Sequence, residues 1–348
     1  MAERTEPVRD REREHVAAPP VPTNVVGIGA SFTDPLWRIA VRLRPVEVDL
    51  LRTGPLRRLH FIAHGGASAV STLQSYSRLE HTLGVFALAA HFRPGDEPLR
   101  VAALLHDIGH LPLSHTVEGL AGLDHHDIGM RLLRADPVGP VLAGHGVDAD
   151  QVAAALAGPS PLRGAGGLLS LDHLDSFVRS GRDAGRLDAD PPALLDRLEL
   201  RGAAVSTDRA AAAVLVGLVG AEARLHTSWD NVGPIAVVRR LARRLLDGGA
   251  VEPARLARMT DPQLWSAFEA LEATREESAM LHYEPHRLQV AIGRDAAAPG
   301  AWDFSLRKIY RSAPLVEGRP LAEAAPELAA ALDGLAALPT AFRVWWAP

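Results

Sequence analysis

The chain of 348 residues contains no cysteine. This absence excludes thiol nucleophiles, disulfide scaffolds, iron–sulfur clusters and thiolate zinc sites, so a metal site must use histidine and carboxylate ligands. Lys308 is the only lysine, and the other basic residues are all arginines. An anion-binding pocket is therefore expected to use arginine and histidine.

Long apolar runs and an excess of basic charge are also missing. No segment approaches the roughly 18–20 uninterrupted apolar residues of a membrane span, and the charged start of the chain has no apolar stretch typical of a signal peptide. The net charge of −5 predicts no nucleic-acid partner and no anionic membrane surface as partner. We therefore expect a cytoplasmic protein without nucleic-acid or membrane partners.

Histidine, in contrast, is clustered. Nine of the 15 histidines lie between residues 60 and 126, where an even spread predicts about three. They are His60, His64, His81, His91, His106, His110, His115, His125 and His126. This part of the chain is expected to carry the chemistry.

Hydrophobic spacing predicts a mainly α-helical protein in three parts. Residues 1–22 are expected to form a flexible leader, residues 23–250 a helical core with small β elements at its N-terminal edge, and residues 251–348 a smaller mixed α/β lobe. Strands are expected near 25–28, 39–43, 287–292 and 304–310. Helices are expected near 77–88, 99–110, 124–133, 171–179, 209–226, 236–246, 264–277 and 321–335.

The segment LLHDIGHLPLSH carries adjacent His106 and Asp107, with His110 one turn beyond on the same helix face. An unpaired aspartate in such an apolar helix would cost several kcal/mol, so the pair indicates either a metal site or polar core groups that satisfy each other. A metal site needs more ligands. His81, in SRLEHTLGV, and Asp172, in LDHLDSF, are the candidates, although a lone histidine on an apolar helix face is more often a core residue.

These motifs, in this order, resemble the HD-domain phosphohydrolases, and within them the deoxynucleoside triphosphate triphosphohydrolase branch. The resemblance covers residues 32–180 well and continues weakly through HTSWDNVG and RKIYRSAPLV. It implies an HD-domain helical bundle in which His81, His106, Asp107 and Asp172 bind one divalent metal. Such a donor set suits Mn, Fe, Co, Ni or Zn, with Mg as a second ion that arrives with the substrate.

The same resemblance implies catalytic roles for His110, His115, Glu118 and His126. His115 is expected to protonate the departing 5′ oxygen, and Glu118 to pair with His126 and orient water or phosphate. His125 is an alternative to His126 because the two are adjacent. His115 and His126 also remain open to a purely structural role.

Substrate contacts are expected from Arg78, His64, His173, Ser176 and Arg179. Arg78 matches the arginine that grips a phosphate, with an exposed salt bridge as its alternative. The other family positions differ here: His64 replaces a glutamine, His173 a lysine and Ser176 a tyrosine, while Ser180 replaces an aspartate. Arg179 is more simply explained as a helix-surface ion pair with Asp175.

These departures leave three functions to compare. The leading hypothesis is a metal-dependent nucleotide phosphohydrolase, by resemblance a dNTP triphosphohydrolase that releases nucleoside and triphosphate. The first alternative is a phosphomonoesterase acting on nucleoside monophosphates or analogues, and the second is a non-catalytic nucleotide-binding regulator. Arg52 and His60 differ from the allosteric positions of regulated relatives, so nucleotide-driven tetramer assembly is not expected. A homodimer or higher homo-oligomer stays compatible with the sequence.

Overall fold

The computed structural model describes residues 24–293 and 298–348, so the predicted leader at residues 1–22 lies outside the described residues. The described part is mainly α-helical. Its α-helices are α1 Pro45–Leu51, α2 Gly54–Arg58, α3 Arg78–Phe92, α4 Glu97–Leu105, α5 His125–Arg134, α6 Val138–Gly144, α7 Ala149–Ala157, α8 Leu171–Asp183, α9 Pro191–Leu195, α10 Arg209–His226, α11 Trp229–Asp247, α12 Pro253–Leu256, α13 Asp261–Ala270, α14 Glu272–Tyr283, α15 Leu321–Ala324 and α16 Pro326–Gly334.

Eight short strands form three small sheets in the described residues. They are β1 Ser31–Thr33, β2 Ala40–Arg42, β3 Leu198–Arg201, β4 Ala204–Thr207, β5 Leu288–Ile292, β6 Trp302–Ser305, β7 Leu315–Val316 and β8 Ala341–Trp346. Strands β1 and β2 pair antiparallel. In the second sheet β4 pairs antiparallel with β3 and parallel with β7, and in the third β8 lies between β5 and β6, antiparallel to both.

The helical core is built around α3, which is buried on nearly all of its faces. Its small and aliphatic residues, in TLGVFALAA, let α4 and α8 approach closely on different sides. The Ser77 hydroxyl caps the helix by accepting a hydrogen bond from the Glu80 amide. The polar residues of its first turns are thereby fixed inside the molecule.

The buried apolar residues of the described chain form two hydrophobic clusters. The first joins α3, α4, α8 and α10 and also takes in Leu321 and Leu332 from the C-terminal region. The second joins the loop around Leu113 to α11, α13, α14 and the third sheet. Helix α11 therefore packs with residues beyond 250, and the division of the chain at that residue remains a proposal.

Several predicted elements end at different residues in the structure. The predicted helix 99–110 stops at Leu105, and the next four residues form a turn. Leu271 separates α13 from α14 within the predicted helix 264–277, and Pro326 similarly divides the helix expected at 321–335. Residues 25–28 form turns, and the strand expected at 304–310 ends at Ser305.

In the described residues no single helix is long and apolar enough to cross a membrane, whereas α10 and α11 together meet the criteria of length and composition as a pair bent by 47°.

Candidate metal centre and active site

His81 lies on α3, fully buried, with both ring nitrogens facing carboxylates. Its Nδ1 is 2.8 Å from Asp175 Oδ2, and its Nε2 is 3.1 Å from Asp172 Oδ1. Burial lowers the pKa of His81, but the hydrogen bonds to these carboxylates outweigh it and raise the pKa to about 9. In the metal-free protein His81 is therefore protonated at neutral pH.

His106 follows the last residue of α4, at the start of the turn that ends this helix. Its Nδ1 is 2.8 Å from the carbonyl oxygen of Ala103, so Nδ1 carries the proton and the Nε2 lone pair is left for a ligand. The turn packs tightly, because a Cβ on Gly109 would lie 2.0 Å from the His125 carbonyl oxygen. The helix thus ends here because the backbone must pass close to α5.

Asp172 completes this group from the first turn of α8. The Ser170 hydroxyl caps this helix by accepting a hydrogen bond from the His173 amide. His106 Nε2 is 3.4 Å from His81 Nε2 and 3.9 Å from Asp172 Oδ1. Nitrogen and oxygen ligands about 2.1 Å from a metal and at right angles to each other lie about 3 Å apart. These spacings, together with Nδ1 atoms held by acceptors, fit a divalent metal bound by two imidazoles and a carboxylate.

Asp107 lies beside His81, His106 and Asp172 and also contacts His110 and Arg78. Its Oδ1 is 3.4 Å from His106 Nε2 and 3.1 Å from His110 Nε2, while its Oδ2 accepts a hydrogen bond from Arg78 Nη1 at 2.9 Å. Burial raises the pKa of Asp107, but interactions with His106 and Arg78 and the hydrogen bond with His110 outweigh it and hold this pKa well below its usual range. The carboxylate is ionised, as a metal ligand must be.

Arg78 is buried, so the alternative of an exposed salt bridge is wrong. Besides Asp107 it donates to Ser114 Oγ at 2.9 Å and to the carbonyl oxygen of His64 at 3.3 Å. Ser114 has φ +56° and ψ −121°, a backbone conformation unfavourable for a residue with a Cβ. The strained loop brings its hydroxyl to Arg78, which in turn orients Asp107.

Asp175 and Arg179 form an ion pair, but not on the helix surface as the sequence predicts. Both side chains are fully buried. Arg179 also pairs with Asp34 at 3.0 Å and Glu80 at 3.1 Å, because residues distant in sequence converge on it. Arg179 is not among the residues that line the cavity described below, and its contacts hold Asp175 against His81.

Gly84 makes this arrangement sterically feasible. A Cβ at this position would lie 2.1 Å from Asp175 Oδ1 and 2.2 Å from Arg179 Nη2. Any larger residue on this turn of α3 would displace the carboxylate that orients His81. The glycine of the SRLEHTLGV motif is therefore explained by the ion pair behind His81, a candidate metal ligand.

A second group of histidines lies next to the first. His110, His115 and His125 have ring centroids 4.3–5.0 Å apart. His125 Nδ1 is 3.0 Å from Glu118 Oε2, and the His125 amide donates to Glu118 Oε1. The pairing of Glu118 with His126 is thus wrong, and the alternative, His125, makes the contact because it is the first residue of α5.

His110 and His115 are uncharged in the substrate-free protein. Burial, together with the positive charge of Arg78 and neighbouring histidines, lowers both pKa values well below the usual range. His110 Nδ1 is also buried and has no hydrogen-bond partner among the described residues. A polar group entering this site would satisfy it.

Members of both groups line one cavity of about 790 Å³, and the fully buried His81 lies behind its wall. Its walls include most of the predicted site residues, namely His64, Arg78, His106, Asp107, His110, His115, Glu118, His126, Asp172, His173 and Ser176. His64 stacks on Tyr76 and lies 4.5 Å from His81 between ring centroids. Pockets of 300–1,000 Å³ accommodate small organic ligands of nucleotide size.

Sequence reasoning missed the C-terminal wall of this cavity. Phe304, Lys308 and Tyr310 line it, although they follow Asp172 by more than 130 residues. His173 contacts this segment through Ser312, whose hydroxyl is 2.7 Å from Nδ1. The RKIYRSAPLV resemblance is the signal in the sequence for Lys308 and Tyr310, and it implies no role for them.

Comparison with known proteins finds one matching family model and several similar proteins. The HD domain family model matches residues 78–158, which contain His81, His106 and Asp107. The metal-dependent phosphohydrolase cns2 of Cordyceps militaris is 28% identical over 247 residues, covering 64% of this chain and 68% of cns2. The deoxynucleoside triphosphate triphosphohydrolase SAMHD1 of Xenopus laevis is 33% identical over 103 residues, which are 25% of this chain and 16% of SAMHD1.

The fold has counterparts among solved structures. A phosphohydrolase from Bacteroides thetaiotaomicron superimposes with a TM-score of 0.68 at 16% identity, covering 91% of this chain and all of that one. A hypothetical protein from Aquifex aeolicus gives a TM-score of 0.67 at 17% identity, covering 91% and 96% of the two chains. At these identities the likeness concerns the fold. The sequence matches thus show an HD domain over residues 78–158 and a similarity of the chain to a metal-dependent phosphohydrolase.

Proposed function

We propose that the protein hydrolyses nucleotides, and that it acts as a dNTP triphosphohydrolase that releases nucleoside and triphosphate. The observation that carries the proposal is the convergence of His81 Nε2, His106 Nε2 and Asp172 Oδ1 beside a second histidine group in one nucleotide-sized cavity. Asp107 lies between the two groups and contacts both.

A divalent metal bound here would lower the pKa of a bound water and neutralise phosphoryl charge. His81, His106, Asp107 and Asp172 would hold it. Asp175 and the Ala103 carbonyl keep the two imidazoles in the tautomer that presents Nε2 to the metal. This supporting set is complete in the structure before any ligand binds.

The reaction breaks the bond between the α-phosphorus and the 5′ oxygen while water oxygen bonds to phosphorus. The 5′ oxygen must then gain a proton, for which we assign His115. Its pKa is low because it is buried near other cations, so it needs the negative charge of bound phosphates to become protonated. His125, held by Glu118, is placed on the same side to receive a phosphate oxygen or the attacking water.

A phosphomonoesterase is the second candidate, and two observations favour it. His173 and Ser176 line the cavity where the triphosphohydrolase branch has a lysine and a tyrosine. The chain also spans only 16% of the length of SAMHD1, whereas the more extensive match is to a protein described simply as a metal-dependent phosphohydrolase.

Product analysis separates these candidates. Protein loaded with Mn²⁺ would be incubated with dNTP, NTP and NMP panels, and the products resolved by ion-exchange chromatography. Triphosphate release supports the first function and orthophosphate from monophosphates the second, while no turnover with any divalent metal would leave a non-catalytic nucleotide-binding regulator.

Two variants connect the activity to the site. Asp107→Ala should abolish hydrolysis and metal binding, whereas His91→Ala, an exposed histidine on α3, should change neither. Full activity in Asp107→Ala would refute the assignment of the site.

A further inference from the structure

The wall formed by residues 304–312 is attached to the protein at both of its ends. At one end β6 pairs with β8, and the Leu306 amide donates to the Thr340 carbonyl oxygen at 2.8 Å. At the other end Ala313 exchanges backbone hydrogen bonds with the strand-like residues before α8, donating to Gly167 and accepting from Leu169. Residues 306–311 therefore span the cavity as an irregular segment whose position relative to Asp172 is fixed.

This segment carries the chain's single lysine into the cavity. Lys308 Nζ lies 4.6 Å from the centroid of the Tyr310 ring, and that ring meets His173 edge to face at 5.2 Å. A cation over an aromatic face keeps its positive charge and its three hydrogen-bond donors. Lys308 is near enough to His173, the neighbour of Asp172, that its charge contributes to lowering the His173 pKa, after burial.

The other basic residues around the cavity are already engaged by oxygen acceptors or by packing. Arg78 binds Asp107 and Ser114, Arg239 donates to two backbone carbonyl oxygens, and Arg163 donates to one. Arg307 packs over Gly119, where a Cβ would lie 2.4 Å from its guanidinium. Lys308 contacts the Tyr310 ring and has no oxygen acceptor within the residues that the structure describes.

We propose that Lys308, held by the ring of Tyr310, binds the phosphate chain of the substrate on the Asp172 side of the cavity. The inference rests on the proposed nucleotide function and makes it more specific, because it assigns phosphate recognition to a segment from the C-terminal lobe. It also supplies a phosphate-binding side chain to a cavity whose α8 wall carries His173 and Ser176 in place of the lysine and tyrosine of the triphosphohydrolase branch. Phosphate recognition and the metal ligands thus come from parts of the chain that are far apart in sequence.

Binding of inorganic tripolyphosphate tests the proposal without any turnover. Calorimetric titration of the Mn²⁺-loaded full chain would compare wild type with Lys308→Met and Lys308→Arg. Loss of one charge-assisted contact should weaken binding by about tenfold in Lys308→Met, while Lys308→Arg should stay within about threefold. Arg311→Met is the matched control, since Arg311 belongs to the same segment and does not line the cavity.

Amine acylation gives a second measurement, because Lys308 is the only side-chain amine. Mass spectrometry of its peptide should show acylation slowed severalfold by tripolyphosphate. Equal affinities of wild type and Lys308→Met, an absence of tripolyphosphate binding, or unprotected acylation would each overturn the proposal. Failure of the nucleotide function would instead be seen as an absence of turnover with tripolyphosphate binding intact.

Discussion

Replacing Arg179 with methionine should destabilise the protein through the ion pairs behind the candidate metal site. Arg179 is fully buried and donates to Asp175 at 2.8 and 3.0 Å, to Asp34 at 3.0 Å and to Glu80 at 3.1 Å. Methionine retains most of the side chain's volume but leaves the fully buried Asp34 without its cation and Asp175 with His81 alone. Removing one partner of such a pair costs about 3–5 kcal/mol.

This cost can be expressed as a shift in melting temperature. Unfolding entropies near 2.1 cal/mol/K per residue give about 0.7 kcal/mol/K for 348 residues, so Arg179→Met should lower Tm by about 4–7 °C. Calorimetry of the metal-free protein measures it. The control is Arg182→Met on the same helix, whose exposed side chain contacts Glu80 and Asp183 and should cost at most about 1 kcal/mol.

The effect of Arg179→Met should also depend on pH. Burial raises the pKa of Asp175, but Arg179 and His81 outweigh it and hold this pKa at about 2, below the usual 3.8. That stabilisation is present above pH 3.8 and is lost as the pH falls towards 2. Without Arg179 the pKa rises, so the deficit of the variant should be largest at neutral pH and shrink on acidification. A Tm shift below about 1 °C, or one independent of pH, would refute this reasoning.

Three other perturbations test separate parts of the structure. Gly84→Ala should destabilise the protein and weaken Mn²⁺ binding, because the added methyl group collides with Asp175. The control is Gly217→Ala on α10, where the methyl group meets no atom within 4 Å and the substitution should be neutral or stabilising by up to about 1 kcal/mol. Chemical denaturation and metal titration measure both variants. Asp261→Ala should lower the free energy of unfolding in urea by about 2–4 kcal/mol, because the Asp261 carboxylate accepts hydrogen bonds from the backbone amides of residues 63 and 113. A loss below about 1 kcal/mol would contradict the contribution of these hydrogen bonds. Mn²⁺ affinity should rise by about tenfold per pH unit between pH 6 and 8, because His81, with a pKa near 9, must lose its proton to bind the metal. Calorimetry in buffers of different ionisation heat measures the affinity and the proton released. An affinity that does not change with pH would contradict this prediction.

The helical fold and the approach of His81, His106 and Asp172 to one another could be predicted because their signals are local. Ser77, Asp124 and the apolar spacing of α3 and α8 set helix starts that the structure reproduces. The motifs holding His81 and Asp172 stand at helix starts too, where a capped first turn fixes the direction of a side chain. The geometry of such residues is determined by their neighbours in the sequence.

Residues whose environment comes from distant segments could not be predicted in the same way. From its own helix, Arg179 is expected to be a surface partner of Asp175. In the fold it is buried and also forms ion pairs with Asp34 and Glu80, which are distant in sequence. Lys308 reaches the cavity because β6 and the contact with residues 167–169 fix both ends of its segment. The choice between His125 and His126 depends on the rotation of one helix, which sequence spacing does not determine.

Metal content per chain tests the central assignment most directly. Elemental analysis after Mn²⁺ loading and dialysis would compare wild type, Asp172→Ala and His110→Ala. The account predicts about one ion in wild type and His110→Ala and nearly none in Asp172→Ala, because Asp172 joins His81 and His106 while His110 belongs to the second group. A full ion in Asp172→Ala, with the ion lost in His110→Ala, would place the metal in the second histidine group and contradict the account.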